Sequence, residues 1–205
     1  MAHRMSKEIE RKFVVTRTDF LAELHGDRIV QGYVAKEPGS MTTRVRIRAQ
    51  EAFITLKGPC IGCARDEYEY PIPLLDAEEI LGHYCQGRIV CKTRYLYHFH
   101  GHTYEIDVFT GRHAGLVVAE VELDAEYETF DRPDWLGEEV TFDSRYGNYA
   151  LALIDHSRPA KWWLEGRPTP PGGNVCACRL KGRLSCCEHS RPAMAPVEQE
   201  RVLAD

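Results

Sequence analysis

The sequence predicts a mainly β (α+β) fold, a closed or nearly closed eight-stranded antiparallel β-barrel that forms a tunnel, with peripheral helices. Short runs of alternating polar and apolar residues, rich in Val, Ile, Tyr, Phe and Thr, fill most of the first 125 positions. Helical signals are few and short. Because closure removes exposed strand edges, this succession of strands favours a barrel over an open sheet.

Turn residues separate the predicted elements from one another. The predicted strands cover 6–15, 29–36, 41–49, 51–58, 66–73, 88–98, 103–110 and 116–123. Four helices are predicted around them, at 18–25, 76–84, 125–130 and from about 144 to 154. Their N-terminal signals are Asp76, Asp124 and either Asp143 or Ser144, which are residue types that cap helices.

The composition of the chain changes near residue 158. Residues 159–205 hold four of the eight Cys and six of the eleven Pro, and include the strong break at 170–173, Pro-Pro-Gly-Gly. This stretch has a net charge of +2, whereas residues 1–158 carry −7. We therefore predict a folded domain at 5–158 and a poorly ordered tail at 159–205, in which 194–201 could form a short helix.

Charge and hydropathy disfavour several classes of function. The 205 residues contain 26 Lys and Arg against 31 Asp and Glu, so a general nucleic-acid binder is not expected. No apolar run reaches the roughly 18–20 residues of a membrane span, and the first residues do not resemble a signal peptide. We expect a cytoplasmic protein with reduced thiols, and the sequence leaves its oligomeric state open.

Charged residues recur at i, i+2 spacing inside the predicted strands. Because side chains alternate between the two faces of a strand, each set shares one face, and the opposite face is apolar or aromatic. These sets are Glu8, Glu10 and Lys12; Arg44, Arg46 and Arg48; Glu67 and Glu69; Lys92 and Arg94; Glu105 and Asp107; and Glu120 and Glu122, with Lys57 ending a further strand.

Two interpretations of this stripe are open. An alternating strand is usually buried on one face and solvated on the other. Here the charged faces hold little Thr, Ser or Gln, and acids dominate some strands while bases dominate others. If the stripe faces a lumen, an anion that also binds metal would fill it best, because Arg and Lys pair with phosphate while carboxylates hold divalent cations.

Motifs along the chain resemble the CYTH superfamily, the triphosphate tunnel metalloenzymes. Glu8-Ile9-Glu10-Arg11-Lys12 fits the ExExK signature of that superfamily. The resemblance runs from about Lys7 to Ile154 and is strongest with the short bacterial inorganic triphosphatases. The further matching stretches are 30–33 (VQGY), 44–46 (RVR), 55–57 (TLK), 65–69 (RDEYE), 92–95 (KTRY), 105–109 (EIDVF), 119–123 (AEVEL), 137–141 (GEEVT) and 145–148 (RYGN).

The resemblance implies an eight-stranded tunnel and hydrolysis of a triphosphate with Mg²⁺ or Mn²⁺. Inorganic tripolyphosphate is the implied substrate for the short bacterial members. Class IV-type adenylyl cyclisation and hydrolysis of nucleoside or thiamine triphosphate are the enzymatic alternatives. A non-catalytic polyphosphate or nucleotide sensor is the alternative of another class.

Site residues are carried over position by position. The implied metal ligands are Glu8, Glu10, Asp107, Glu120 and Glu122. The implied triphosphate cradle is Lys12, Arg44, Arg46, Lys57, Arg94 and Arg145, and Glu67 and Glu69 are implied to orient these cations. Arg48 extends the stripe and could be luminal rim or solvated. Tyr149 stands where a second basic residue often follows the motif, which puts one phosphate contact in doubt.

Lys92 and Tyr33 are the candidate catalytic pair. A lysine crowded by Arg94 and Arg46 should have a lowered pKa, so it could activate water, with Tyr33 orienting it by a hydrogen bond. The alternative is that Lys92 stays protonated and only binds phosphate.

Other potential metal ligands are given less weight. Cys60 and Cys63 have CxxC spacing but sit in a turn, and zinc or redox use is not favoured. The tail cysteines and His189 have CxC and CC spacings unlike a common zinc finger; the cysteines are Cys176, Cys178, Cys186 and Cys187. The histidines near Gly101 suit a solvated hairpin better than a metal site.

Overall fold

Nine strands, two α-helices and three 3₁₀ turns make up the part of the chain that the computed structural model describes, residues 6–34 and 40–154. The strands are β1 (Ser6–Val15), β2 (Gly26–Tyr33), β3 (Thr42–Arg48), β4 (Glu51–Lys57), β5 (Ala64–Pro71), β6 (Ile89–Phe99), β7 (His102–Phe109), β8 (Val117–Glu122) and β9 (Leu136–Glu139). The helices are α1 (Leu74–His83) and α2 (Asn148–Leu153), and the 3₁₀ turns are Asp19–Glu23, Gly111–His113 and Ser144–Tyr146.

The first eight strands close into an antiparallel barrel. Their order is β5-β4-β3-β2-β6-β7-β8-β1, and β1 also pairs with β5, which joins the two ends of the sheet. Glu8 of β1 lies opposite Arg65 of β5, and Lys12 lies opposite Glu120 of β8. The predicted fold class is thereby confirmed.

All eight predicted strands form, each within three residues of its expected bounds. The short strand β9 was not predicted. It pairs with the second half of β1, on the edge that β5 leaves free, with Phe13 opposite Glu139. Four residues are too few to show a clear alternation, so the pattern in the sequence could not reveal this strand.

The helix predictions were less accurate. Helix α1 begins two residues before the expected cap Asp76, and 18–25 contains only a 3₁₀ turn. No helix forms over 125–130, where that prediction is wrong. The last predicted helix is split into a 3₁₀ turn, whose cap is Asp143, and α2. None of the described helices combines the length and the hydropathy that crossing a bilayer requires. Residues 159–205, with the helix predicted at 194–201, lie outside the described part.

Helix α1 covers the outer face of β2, β3 and β4. Leu81 and Cys85 are fully buried there, in one cluster with Val45 and Ile47 of β3. Gly32 of β2 makes the close approach possible, because a Cβ at that position would stand 2.6 Å from the Cδ2 of Leu81 and the Cβ of Cys85. On the far side of the barrel a second outer cluster surrounds Trp135.

One end of the lumen is filled by apolar side chains. Continuing the inward-facing charged rows by two residues leads to Val14, Val90, Phe109 and Val118, which form one buried cluster with Leu151 of α2. The inward face of the barrel therefore changes from charged to apolar along its length, and α2 closes the apolar end.

Candidate active site

The charged stripe points into the barrel and lines a cavity of about 400 Å³. The interpretation of these faces as a lumen is therefore the correct one. The charged residues that line the cavity are Glu8, Glu10, Lys12, Arg44, Arg46, Lys57, Arg65, Glu67, Glu69, Arg94, Glu105, Glu120 and Glu122, and they are joined by Tyr33, Thr42, Gly147, Asn148 and Tyr149.

Strands β3 and β4 provide a cationic wall. Arg44, Arg46 and Lys57 point from it into the cavity, and Arg44 and Lys57 are each 7% exposed. Glu69 accepts hydrogen bonds from Arg46 at 2.9 Å and from Arg44 at 3.2 Å, and Glu67 lies 2.7 Å from the Lys57 Nζ. The carboxylates of β5 thus form ion pairs with the cations of this wall.

Strands β1, β7 and β8 provide an acidic wall. Glu10 lies directly opposite Glu122 in the β1–β8 register, and Glu105 lies opposite Glu120. Burial and the neighbouring carboxylates Glu8, Glu105 and Glu10 raise the pKa of Glu122. Part of this shift is repulsion between carboxylates, which a bound cation would relieve.

The two walls are linked by a continuous path of ion pairs. Burial alone would raise the pKa of Glu8, but Lys57 and Arg65 outweigh it and lower that pKa to about 2. Likewise Glu120 and Glu10 outweigh the desolvation of buried Lys12 and raise the pKa of its ammonium. The groups along this path therefore remain charged near neutral pH.

Lys92 and Asp107 lie deeper than the cavity surface. Lys92 is 2% exposed and Asp107 1%, and their Nζ and Oδ2 atoms are 2.5 Å apart. Arg94 donates two further hydrogen bonds to Asp107, at 2.7 and 2.6 Å. Asp107 is thus occupied by two cations and does not line the cavity, contrary to the arrangement that the resemblance implied for a metal ligand. Asp107 lies this deep because it borders the apolar layer at the end of the lumen, which includes Phe109 two residues along the same strand.

Burial lowers the pKa of Lys92 to about 8. Asp107 raises this pKa, whereas Arg94 lowers it. The expected direction is correct, although desolvation contributes more than the neighbouring cations. The expected hydrogen bond from Tyr33 to Lys92 is replaced by another contact, since Gln31 donates to the Tyr33 hydroxyl at 2.9 Å. Tyr33 itself lines the cavity, and burial raises its pKa to about 12.

Two predicted cations lie outside the cavity lining. The Arg145 side chain is 61% exposed and pairs with Asp143 at 2.5 Å, two residues before the lining residue Gly147. Arg48 pairs with Asp27 at 2.7 Å and does not line the cavity.

The sequence interpretation missed several lining residues. Arg65 contacts Glu8 at 2.5 Å and Glu10 at 3.3 Å, and its spacing of two residues from Glu67 already placed it on the inward face. Glu105 was among the charged sets of the sequence, but no role in the site was predicted for it. Asn148 and Tyr149 belong to α2, so no strand alternation could have indicated them.

The acidic wall fits a hard divalent cation by its chemistry. Carboxylate oxygens are the donors that Mg²⁺ and Mn²⁺ prefer, and the glutamates of this wall line the cavity. Within residues 6–34 and 40–154 no three His, Cys, Asp or Glu side chains are gathered into a ready-made metal site. The carboxylates of the acidic wall are paired with Lys12, Lys57 and Arg65. These cations would have to turn toward a bound anion before the carboxylates could hold a metal.

Known proteins resemble this chain over the barrel. An inorganic triphosphatase of Acetivibrio thermocellus is 42% identical over 147 residues, 72% of this chain and 94% of that protein. An inorganic triphosphatase of Nitrosomonas europaea is 43% identical over 150 residues, 71% of this chain and 97% of that protein. A crystal structure of the inorganic triphosphatase NE1496 matches with a TM-score of 0.56 and 39% identity, covering 75% of this chain and 99% of that one.

The model of one protein family matches residues 6–157, which is most of the chain and includes every residue that lines the cavity. With its closed barrel and charged lumen, this protein belongs to the CYTH domain family.

Proposed function

We propose that this protein hydrolyses inorganic tripolyphosphate to pyrophosphate and phosphate in a reaction that depends on Mg²⁺ or Mn²⁺. The observation that carries the proposal is the lumen of the closed barrel, a cavity of about 400 Å³ that is lined by both a cationic and an acidic wall. The relatives that share more than 40% identity with the barrel are named inorganic triphosphatases, which supports the same reaction.

The cationic wall would bind the phosphate chain. A triphosphate carries about four to five negative charges near neutral pH, because its terminal group has a pKa near 6. Arg44, Arg46 and Lys57 present guanidinium and ammonium donors from adjacent strands, and charge-assisted hydrogen bonds to phosphate are strong. Lys12 of β1, Arg65 of β5 and Arg94 of β6 add cations from other strands that line the cavity. Arg65 is a further proposed member of this cradle.

Substrate binding would redistribute the ion pairs of the lumen. When Lys57 and Arg65 turn to phosphate oxygens, the carboxylate of Glu8 loses both of its partners. The acidic wall would then hold the divalent metal through Glu8, Glu10, Glu120 and Glu122. Such a metal supplies neutralisation of phosphate oxygens and lowers the pKa of bound water. Glu67 and Glu69 would remain with the arginines and keep them oriented.

The proposed roles of Lys92 and Asp107 follow from their depth. Lys92 holds Asp107, and Asp107 in turn fixes the Arg94 guanidinium, which also reaches Glu120 at 3.0 Å. This geometry favours Lys92 as a positioning residue, while direct activation of water by Lys92 stays a prediction. Tyr33 would contact substrate from the cavity surface, and Arg145 would meet it only at the mouth.

The test is a substrate panel with the purified full chain, with Mg²⁺ and Mn²⁺ in parallel. We expect phosphate release from tripolyphosphate to exceed that from ATP and thiamine triphosphate at least tenfold in kcat/KM. Formation of cyclic AMP and pyrophosphate from ATP would establish the cyclase instead. Tight triphosphate binding with no turnover at any metal concentration would establish a sensor. The cytoplasm is the proposed location.

A further inference from the structure

A buried amide lies behind the cavity surface, on the inward face of β2. Val30 and Gly32 pack outward against α1, so the alternate side chains Gln31 and Tyr33 point to the inside of the barrel. Gln31 is 0% exposed and does not line the cavity, whereas Tyr33 does. Gln31 therefore lies too deep to touch a substrate, next to a residue that can.

The surroundings of Gln31 would suit an apolar side chain. In the register of β2 it stands opposite Val90, a member of the apolar end of the lumen, and opposite Arg46 on its other side. The Gln31 Oε1 atom is buried and accepts no hydrogen bond within the described residues. A buried carbonyl without a donor costs free energy that an apolar side chain of the same size would not cost. Stability therefore does not account for an amide at this position.

The nitrogen of the amide contacts Tyr33. The Gln31 Nε2 donates a hydrogen bond to the Tyr33 Oη at 2.9 Å. A phenol oxygen can accept hydrogen bonds and has one hydrogen of its own to donate. Burial raises the pKa of Tyr33 to about 12, so the hydroxyl keeps this hydrogen near neutral pH. Because Gln31 is the donor in their contact, the Tyr33 O–H is directed to a different partner.

The cavity is where that partner would bind. The ring of Tyr33 packs edge to face on Tyr149, with 5.3 Å between the ring centroids, and its backbone N–H donates to the Arg88 carbonyl at 3.1 Å. Arg44 stands opposite Tyr33 in the β2–β3 register, and a guanidinium cannot accept a hydrogen bond. A phosphate bound to the cationic wall would bring acceptor oxygens to this place.

We propose that Gln31 is a positioning residue, whose amide holds the Tyr33 oxygen as an acceptor so that the phenol O–H donates to a phosphate oxygen in the cavity. The inference rests on the proposed function and adds to it a residue that acts without touching substrate. The Tyr33 hydroxyl keeps its proton in this contact, so no bond is made or broken.

A double-mutant cycle between Gln31 and Tyr33, made in the full chain, tests the proposal. Gln31→Met keeps the length of the side chain and removes the amide, and Tyr33→Phe removes the hydroxyl. We expect each substitution alone to lower kcat/KM for tripolyphosphate about tenfold, the usual effect of one lost hydrogen bond to a charged group. The double variant should lie within about twofold of Tyr33→Phe, because Gln31 has nothing to position once the hydroxyl is gone.

Thermal unfolding separates positioning from a structural role. Gln31→Met should leave the Tm unchanged or raise it, since the unpartnered Oε1 is removed together with the amide. Ile29→Val is the matched control, because Ile29 is also 0% exposed and lies on the same face of β2. It should lower the Tm, as loss of a buried methyl group does, and change kcat/KM less than about twofold.

Binding of tripolyphosphate in EDTA, measured by titration calorimetry, repeats the cycle without turnover. The same pattern is expected in Kd, with a loss for each single variant and no further loss in the double variant. This pattern in a protein that hydrolyses no triphosphate with either metal would support the role of Gln31 and count against the proposed hydrolysis alone.

Three results would overturn the proposal. In the first, Gln31→Met changes neither kcat/KM nor Kd. In the second, the losses of the two single variants multiply in the double variant, so that Gln31 acts independently of the Tyr33 hydroxyl. In the third, Gln31→Met and Gln31→Leu both fail to fold, which would make the amide a requirement of the barrel itself.

Discussion

At the scale of single residues, position along the barrel separates side chains that look equivalent in the sequence. Arg44, Arg46 and Arg48 share one face of β3, but only the first two line the cavity. Lys92 and Arg94 share one face of β6 in the same way, and only Arg94 lines it. Alternation determines the face of a strand, whereas contact with substrate depends also on depth.

Arg44 and Arg48 provide a matched pair for the cationic wall. Arg44→Ala should raise the KM for tripolyphosphate about ten- to a hundredfold, because it removes charge-assisted contacts from a buried site. Arg48→Ala should change KM less than twofold, since Arg48 is occupied with Asp27 outside the cavity. Steady-state phosphate release measures both, and equal effects of the two substitutions would contradict the assigned geometry.

Lys92 is tested by a split between kcat and KM. As a positioning residue it acts through Asp107 and Arg94, so Lys92→Ala should raise KM at least tenfold and leave kcat within about threefold. Lys92→Arg should restore most of the affinity, because a guanidinium can keep the contact with Asp107. A large loss of kcat that Arg does not rescue would instead support a general base, since arginine stays protonated.

At the scale of elements, the strands beside β1 and the helices over the sheet shape the lumen. Strand β9 completes the edge of β1 where β5 ends, and the backbone N–H of Lys12 donates to Thr141 Oγ1 at 3.0 Å just beyond β9. Helix α1 supports the strands of the cationic wall from outside, and α2 closes the apolar end.

The contact of α1 with β2 has little spare space. Gly32→Ala would place a methyl group 2.6 Å from side-chain atoms of both Leu81 and Cys85. We expect a loss of about 1–3 kcal/mol in the free energy of unfolding, the usual cost of overpacking. Leu81→Ala removes the clashing Cδ2 atom, so it should cost less stability on the Gly32→Ala background than on its own, which urea titration would show. Additive losses in the double variant would mean that the clash is not the cause.

The link between β1 and β9 predicts a dependence of stability on pH. The hydrogen bonds from Arg11 lower the pKa of Glu139 below its ordinary 4.5. Because the folded-state pKa is the lower one, this stabilisation is complete above about pH 4.5 and is lost as the pH falls through the folded-state value. Glu139→Gln should therefore cost at most about 1 kcal/mol at pH 7, since the pair is partly solvated, and less at pH 3. Urea unfolding at both pH values measures the difference, and an equal cost at both would exclude this origin.

At the scale of the whole molecule, stability and activity depend on different parts of the barrel. Apolar clusters under α1, around Trp135 and beside α2 lie outside the charged cavity. Inside it, opposed rows of charge neutralise each other through ion pairs whose net contribution to stability is small, because desolvation offsets attraction. The lumen is therefore organised for binding more than for holding the fold.

Removal of divalent metal should separate these two properties. EDTA should abolish tripolyphosphate hydrolysis, and excess Mg²⁺ or Mn²⁺ should restore it. The Tm should change by less than about 2 °C, because the strands and apolar clusters need no metal to pack, unlike a structural zinc site. Calorimetry with and without EDTA measures the Tm. A large fall in Tm on chelation would show that the metal also stabilises the fold.

The sequence by itself determined the eight barrel strands and the charged residues that share one face of each strand, because a period of two residues fixes both locally. The pattern left open whether those faces point inward, and closure of the barrel decided it. The tertiary structure decided the closure between β1 and β5, the added strand β9 and the depth of each charge. Depth depends on strand stagger and on where α2 fills the barrel, which are long-range contacts without a local signal. For this reason Lys92 and Asp107 are buried against the apolar end, while Arg65, two residues from Glu67, reaches the cavity.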